Sequence, residues 1–208
     1  MGSGAVHLNL EQSPKHFITI NKYTRSIPPK QDTMADQSEY VIIPGKPSPQ
    51  YYRDLRELAA LTPPPPDAMS ESVPRSLENS WYMLVAYESK HLVDGKPAPG
   101  QNPVGMGRLV GDGALFLIMC DIAVHPDHQR KGIGKRISQM LVQHVDANAP
   151  HAYVSLVADP MGQALYPKFG FESVEPSVGM FRCVYSQQDV EGRKAVREKQ
   201  LAMAQRQR

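Results

Sequence analysis

The order of apolar and polar positions predicts strands and helices alternating along most of the chain. Short apolar runs rich in β-branched and aromatic residues predict strands at 40–43, 81–87, 104–110, 114–124 and 153–158. Residues 131–148 instead place apolar side chains at helical spacing, with lysine and glutamine on the other positions. This pattern predicts an amphipathic helix packed on the sheet.

Capping and breaking residues set the limits of the first helix. Ser48 followed by Pro49 predicts a helix start before residues 51–60, because serine caps a helix and proline tolerates its first position. Four prolines at 63–66 cannot continue that helix, because each removes a backbone donor. A rigid, extended spacer is therefore expected after it.

Shorter elements complete the predicted fold. We expect a second short helix at 67–77 that is interrupted or ends near Pro74, another short helix at 162–169, and a closing strand at 179–185. The Asp-Gly pair within 111–113 predicts a hairpin turn. The resulting order of elements indicates an α/β (α+β) fold with a mixed, largely antiparallel central sheet flanked by helices.

The net charge of +2 is a sum of unlike segments. Residues 1–33 contain four basic and two acidic residues. Residues 34–186 contain 13 basic and 16 acidic residues, and residues 187–208 contain six basic and three acidic residues. The first segment has no sustained periodicity and is interpreted as a flexible extension, the second as one domain, and the third as a basic, helix-prone tail in solvent.

Composition excludes several classes of protein. Two cysteines in 208 residues are too few for a disulfide framework, so a reduced intracellular protein is expected, cytoplasmic with a nuclear location left open. The longest apolar run is far shorter than the roughly 20 residues of a membrane-spanning helix, and no secretory signal pattern opens the chain. The slightly acidic domain does not favour nucleic acid as a partner.

The stretch that follows the strand at 114–124 is suited to bind an anion. Gly132 and Gly134 open the amphipathic helix, where unpaired amides and the helix dipole favour a phosphate. Without side chains at these positions, a pyrophosphate can approach the backbone closely. Four cations surround the glycines, namely Arg130, Lys131, Lys135 and Arg136.

Three phosphate-binding motifs compete for this stretch. A P-loop requires glycine where Gln129 stands and serine or threonine where Arg136 stands, and a dinucleotide fingerprint requires glycine at Ile137. The pattern V-x-P-x-x-[QR]-x-x-G-x-[GA] fits every fixed position, through Val124, Pro126, Gln129, Gly132 and Gly134. The stretch thus resembles the acetyl-CoA signature of the GNAT superfamily of N-acetyltransferases.

A second match lies downstream. The family often shows N-x-x-A-x-x-L-Y-x-K-x-G-F, and this chain keeps Leu-Tyr-x-Lys-x-Gly-Phe at 165–171. It departs from the pattern at Asp159 and Gly162, which replace the asparagine and the alanine. The asparagine's usual cofactor contact is therefore not carried over. The resemblance covers about residues 38–186.

The resemblance implies acetyl-CoA as acetyl donor, with no metal. It implies a sheet that splays at the cofactor site, where the backbone of the strand ending at Val124 pairs with the pantetheine arm and polarises the thioester carbonyl. The implied cofactor-binding residues are Ile122, Ala123, Val124, Gln129, Arg130, Lys131, Gly132, Ile133, Gly134, Lys135 and Lys168.

The resemblance also implies direct attack of a neutral amine on the thioester. Tyr166 resembles the family's general acid, and a phenol with an ordinary pKa of about 10 can donate a proton at neutral pH. Asp121 is the nearest candidate base, although strict alternation points it away from Val124 unless a bulge intervenes. A water-mediated base, the free-amine fraction of the acceptor and an acyl intermediate on Cys120 are alternatives.

The acceptor is expected to be a small amine. Tyr52, Trp81 and Phe181 are candidates for an apolar acceptor pocket, with roles in the sheet core as the alternative reading for Trp81 and Phe181. Alternatives are a protein lysine or N-terminal acetyltransferase, an acetyl-CoA sensor without catalytic activity, and a nucleic-acid-binding domain that uses the basic residues. Dimers are common in the family, so the resemblance implies a homodimer as one candidate state.

Overall fold

The computed structural model describes residues 39–183 and 189–205. The extension predicted at 1–33 lies outside the described residues. The helices and strands are, in chain order, β1 Tyr40–Pro44, α1 Pro49–Leu58, α2 Ser72–Glu78, β2 Tyr82–Glu88, β3 Leu92–Val93, β4 Lys96–Pro97, β5 Gly105–Gly111, β6 Phe116–Val124, α3 Ile133–Asn148, β7 Tyr153–Ser155 and α4 Val190–Gln205. Among these residues, no helix combines the length and the apolar character needed to cross a membrane.

The central sheet has five strands in the order β1-β2-β5-β6-β7. Its first three pairings are antiparallel, and β6 pairs with β7 in parallel through the crossover helix α3. β3 and β4 form a separate two-stranded hairpin. The predicted mixed, largely antiparallel sheet is confirmed.

Apolar side chains cover both faces of the sheet. Leu84 and Ala86 of β2 pack with the stripe of α3 on one face, whereas Met83 and Val85 pack with α1 and α2 on the other. This explains why β2 has a continuous apolar run instead of strict alternation.

Local chemistry fixes the ends of α1 and the position of α3. The Ser48 hydroxyl accepts a hydrogen bond from the amide of Tyr51 at 3.2 Å, with Pro49 at the first helical position, as predicted. Gly107 of β5 permits close approach of α3, because a Cβ there would stand 2.6 Å from the side chains of both Ile122 and Ile137. Close packing of α3 therefore requires glycine at this point of β5.

A β-bulge interrupts β6 just before its end. The register moves from Met106 opposite Ala123 to Arg108 opposite Cys120, so that two residues of β6 oppose Gly107. Asp121, at the bulge, has a φ of +58°. Strict alternation fails here because the extra residue rotates the following side chains to the opposite face.

Several predicted elements differ from the structure. The helix predicted at 67–77 is a 3₁₀ turn at Pro66–Ala68 followed by α2, and Pro74 falls in the first turn of α2, where a missing N–H costs little. The helix predicted at 162–169 is a 3₁₀ helix at Tyr166–Phe169.

The predictions for the C-terminal part are partly wrong. The strand predicted at 179–185 is not formed at 179–183, where Phe181 is 71% exposed, and residues 184 and 185 lie outside the described part of the chain. The basic tail does form a helix, α4. However, it is not simply in solvent, because the Lys199 ammonium donates to the carbonyl of Glu57 at 2.6 Å.

Candidate active site

A cleft opens where β6 and β7 diverge. The two strands pair only over Phe116–Ile118 and Tyr153–Ser155, and β6 continues to Val124 with no strand on that side among the described residues. The cleft has a volume of about 500 Å³. It therefore offers an exposed strand edge within a space of the size that binds small molecules.

The turn between β6 and α3 forms one end of this cleft. Arg130 and Gly132 have positive φ values of 65° and 79°, and Gly132 is the N-terminal cap residue of α3. Alternation of ordinary and left-handed residues turns successive amides to one side, which makes an anion-binding nest. The Gln129 side chain donates to the carbonyl of Val124 at 3.0 Å and ties the turn to the strand.

Space is left open beside the start of α3. A Cβ added at Gly132 would have no protein atom within 4 Å, although the residue lines the cleft. The nest and the open space suit the pyrophosphate of a coenzyme A molecule.

The four cations of this turn divide into two pairs. Arg130 and Lys135 line the cleft. By contrast, Lys131 donates to the Tyr40 hydroxyl at 2.9 Å, and Arg136 donates to the Tyr40 carbonyl at 3.0 Å. The Lys131 ammonium therefore anchors β1, and the binding of the cofactor by the backbone amide of Lys131 stays a prediction.

Most of the predicted cofactor-binding residues line the cleft. Ala123 does not, because its side chain is 1% exposed and packs against α1 on the opposite face of the sheet. The predicted residues that line the cleft are Ile122, Val124, Gln129, Arg130, Gly132, Ile133, Gly134, Lys135 and Lys168.

Tyr166 also lines the cleft, in its own 3₁₀ helix. Its ring is half-buried and meets Phe171 edge to face, with the ring centroids 6.0 Å apart. Burial, with a smaller contribution from the charge of Asp159, raises the pKa of the Tyr166 hydroxyl above its ordinary value of 10.0. The phenol is therefore protonated at neutral pH and can donate a proton.

The candidate base Asp121 is held in a network of charges. Its carboxylate, 8% exposed as a residue, accepts hydrogen bonds from Arg56, from Arg108 Nε at 2.5 Å and from the Tyr52 hydroxyl at 2.8 Å. Both carboxylate oxygens are engaged by guanidinium groups. This geometry disfavours proton transfer from an acceptor and gives Asp121 a positioning role.

Cys120 is not activated as a nucleophile. Burial, followed by the charge of Asp121, raises the pKa of its thiol to about 12. Because the thiolate is the reactive form, the alternative route through an acylated Cys120 is disfavoured.

The structure does not bring together the three aromatic residues proposed for the acceptor pocket. Tyr52 is 5% exposed, and its hydroxyl donates a hydrogen bond to the carboxylate of Asp121. Burial raises the pKa of this hydroxyl to about 12. Trp81 packs against His144 with ring centroids 4.9 Å apart, and Phe181 projects from an irregular segment. None of the three lines the cleft.

The cleft is instead lined by residues from distant parts of the chain. The described lining includes Asp159 and Leu61, and the charge of Arg56 reaches Asp159. In the sequence, Asp159 stands out because it replaces the asparagine of the second motif. No motif in the sequence includes Arg56. No group of three or more metal-ligating side chains occurs within the described ranges.

Comparison with known proteins identifies this fold as that of an acetyltransferase. Residues 79–173 match the model of the acetyltransferase (GNAT) domain, which includes β6, the turn, α3 and Tyr166. Residues 79–173, just under half of the chain, therefore carry a GNAT acetyltransferase domain.

Individual relatives are consistent with this assignment. A protein of unknown function from meticillin-resistant Staphylococcus aureus, described as a probable acetyltransferase, is 28% identical with a TM-score of 0.58, over 69% of this chain and 98% of that one. A GNAT family acetyltransferase from Streptococcus pneumoniae shares the fold, at 23% identity and a TM-score of 0.50, over 69% and 97% of the two chains.

A curated relative matches over a shorter segment. An uncharacterized N-acetyltransferase from Pyropia yezoensis is 33% identical over 79 residues, which are 38% of this chain and 45% of the relative. The match thus spans less than half the length of that protein.

Proposed function

We propose that this protein is an N-acetyltransferase that uses acetyl-CoA and transfers the acetyl group to a small, amine-containing acceptor. The observation that supports this most strongly is the single cleft that joins the open edge of β6, the anion-binding start of α3 and the protonated Tyr166. Each of the three features serves a different part of the reaction.

The chain is suited to hold coenzyme A along the cleft. Amides around Arg130 and Gly132, together with the Lys135 side chain, would bind the pyrophosphate. The unpaired edge of β6 from Met119 to Val124 would bind the pantetheine arm as an additional strand. When bound, acetyl-CoA supplies the thioester whose acetyl group is transferred.

Tyr166 provides the proton that the leaving sulfur needs. In the overall exchange a carbon–nitrogen bond forms, the carbon–sulfur bond breaks, and the proton count balances because the amine releases a proton as the sulfur gains one. The raised pKa of Tyr166 favours the protonated phenol in the ground state. General acid catalysis of this kind typically contributes about 10²–10⁴-fold in rate.

The remaining predictions about partners and location rest on the sequence. The excess of acidic residues in 34–186 favours a cationic acceptor, and the use of Lys131 and Arg136 to anchor β1 reduces the basic surface available to nucleic acid. The homodimer and the cytoplasmic location stay predictions.

Release of free thiol from acetyl-CoA in the presence of a panel of amines tests the proposal. We expect turnover with at least one small primary amine, and the acetylated acceptor in the products by mass spectrometry. Binding of coenzyme A with no turnover on any small amine or lysine peptide would contradict the proposal and favour a sensor. Turnover on peptides alone would reassign the acceptor to a protein.

A further inference from the structure

Asp159 is an acidic side chain in the cleft that the proposed mechanism does not use. It is half-buried and lines the cleft together with Tyr166. Its backbone carbonyl accepts hydrogen bonds from the amides of Gly162 at 2.8 Å and Gln163 at 3.2 Å, so the turn that leads to Tyr166 fixes its position. The cleft therefore contains a carboxylate whose backbone position is fixed and whose charge acts on Tyr166.

The surroundings of Asp159 differ from those of Asp121. Asp121 is engaged by two guanidinium groups, whereas the amide of Gln200 on α4, which acts electrostatically on the carboxylate of Asp159, donates its hydrogen bond to the carbonyl of Ala60 at 3.1 Å. The charge of Arg56 on α1 and the hydroxyl of Tyr166 are the charged and titratable neighbours that act on it. A neutral amide compensates the charge of a carboxylate less than a guanidinium does, which leaves Asp159 more open than Asp121 to an incoming cation.

Burial affects the basicity of this group. It raises the pKa of Asp159 above its ordinary value, and the amide of Gln200 and the charge of Arg56 offset only part of this effect. A partly desolvated carboxylate is stabilised by an incoming cation and is a better proton acceptor than one in water.

We infer that Asp159 binds the ammonium group of the acceptor and accepts its proton. This inference rests on the proposed function and narrows its substrate class to primary alkyl amines that are cationic at neutral pH. Arylamines and hydroxyl acceptors lack the charge that this carboxylate selects.

The proton movement balances. The acceptor enters as R–NH₃⁺, one N–H bond breaks, and the proton passes to a carboxylate oxygen of Asp159, which leaves R–NH₂ to attack the thioester. The carboxylic acid then returns its proton to solvent between turnovers. A primary alkyl amine with a pKa of roughly 10 is almost entirely protonated at pH 7, so this step determines how much of it can react.

The variant Asp159→Asn tests the inference, since it keeps the shape and the hydrogen-bonding capacity but removes the base. In the wild type, kcat/KM for the best acceptor should form a plateau between the pKa of Asp159 and that of the amine, and should fall as the pH drops through the former. In Asp159→Asn, kcat/KM at pH 7 should fall by about 10² or more. The remaining activity should rise about tenfold per pH unit toward roughly pH 10, because only free amine then reacts.

Two measurements without turnover complete the test. Calorimetry should show that the affinity for coenzyme A is within twofold of wild type, and that the affinity of the best acceptor for the enzyme saturated with desulfo-coenzyme A is at least tenfold weaker in the variant. A structural role alone would lower both affinities and leave the shape of the pH profile unchanged, which would overturn the inference.

The outcomes also separate this inference from the proposed function. If the wild type acetylates no amine, the proposed function fails and the inference fails with it. If the wild type acetylates amines and Asp159→Asn keeps both its rate and its plateau, the inference alone is overturned.

Discussion

Asp121 joins three elements of the fold through one side chain. Its carboxylate accepts hydrogen bonds from Arg56 and Tyr52 on α1 and from Arg108 on β5, and Arg108 in turn donates to the Ser76 carbonyl in α2 at 2.9 Å. The bulge that turns Asp121 into this network also shifts the register of β6 against β5, whose pairing resumes at Met106 and Ala123. Asp121, which itself lines the cleft, therefore links this part of β6 to α1 and β5.

We expect Asp121→Asn to destabilise the fold strongly. The substitution leaves two partly buried guanidinium groups without their counter-charge, and breaking such a cluster from one side costs about 3–5 kcal/mol. The free energy of unfolding, measured with urea, tests this expectation.

A matched control uses an exposed ion pair. Lys46 and Glu78 lie 2.8 Å apart, with 36% and 75% of their side chains exposed, so Glu78→Gln should cost no more than about 1 kcal/mol. Equal effects of the two substitutions would show that the buried network does not stabilise the fold as described.

At the scale of elements, the start of α3 depends on a left-handed cap residue. Gly132 has a φ of +79°, a conformation that costs an L-residue about 1–2 kcal/mol. The strain would act on the turn whose amides face the cleft. A side chain at position 132 is therefore expected to affect both the binding of coenzyme A and the stability of the fold.

Gly132→Ala is expected to weaken coenzyme A binding about tenfold, the worth of an amide hydrogen bond to a charged group. Gly100 offers a close control, because its φ is +78° and a Cβ there also meets no atom within 4 Å, although it does not line the cleft. Gly100→Ala should lose about as much stability in thermal unfolding as Gly132→Ala does. Its affinity for coenzyme A, measured by calorimetry, should stay that of the wild type. A similar loss of affinity in both variants would contradict a binding role for the turn.

Elements with strong local signals were predictable from the sequence, and the others were not. The Ser48-Pro49 cap fixed the start of α1, and the stripe at 133–145 identified α3. The apolar pattern at 179–185 indicated a strand, but a strand needs a partner, and no pattern in the sequence specifies which edge it would pair with. The contact of α4 with α1 was likewise a tertiary feature without a local signal.

At the scale of the whole molecule, the donor side of the candidate site could be predicted and the acceptor side could not. The donor side comes from two contiguous motifs, 124–134 and 165–171, whose spacing is visible in the sequence. The proposed acceptor side depends on Asp159 and on the nearby charge of Arg56, and only the fold brings these two residues together. Tyr52 and Trp81 were chosen for their aromatic character, and both serve packing or hydrogen bonding within the fold instead.

We propose that this cleft catalyses acetyl transfer with Tyr166 as the proton donor. The test is single-turnover transfer from acetyl-labelled acetyl-CoA to the best amine, compared between wild type and Tyr166→Phe from pH 6 to pH 9. Tyr153 is exposed, so Tyr153→Phe serves as the control. We predict transfer by the wild type and by Tyr153→Phe, and a rate about 10²–10⁴-fold lower in Tyr166→Phe with coenzyme A affinity within twofold. Equal rates in the wild type and Tyr166→Phe across this range would show that Tyr166 is not the proton donor. No transfer by the wild type would show that this cleft does not catalyse the reaction.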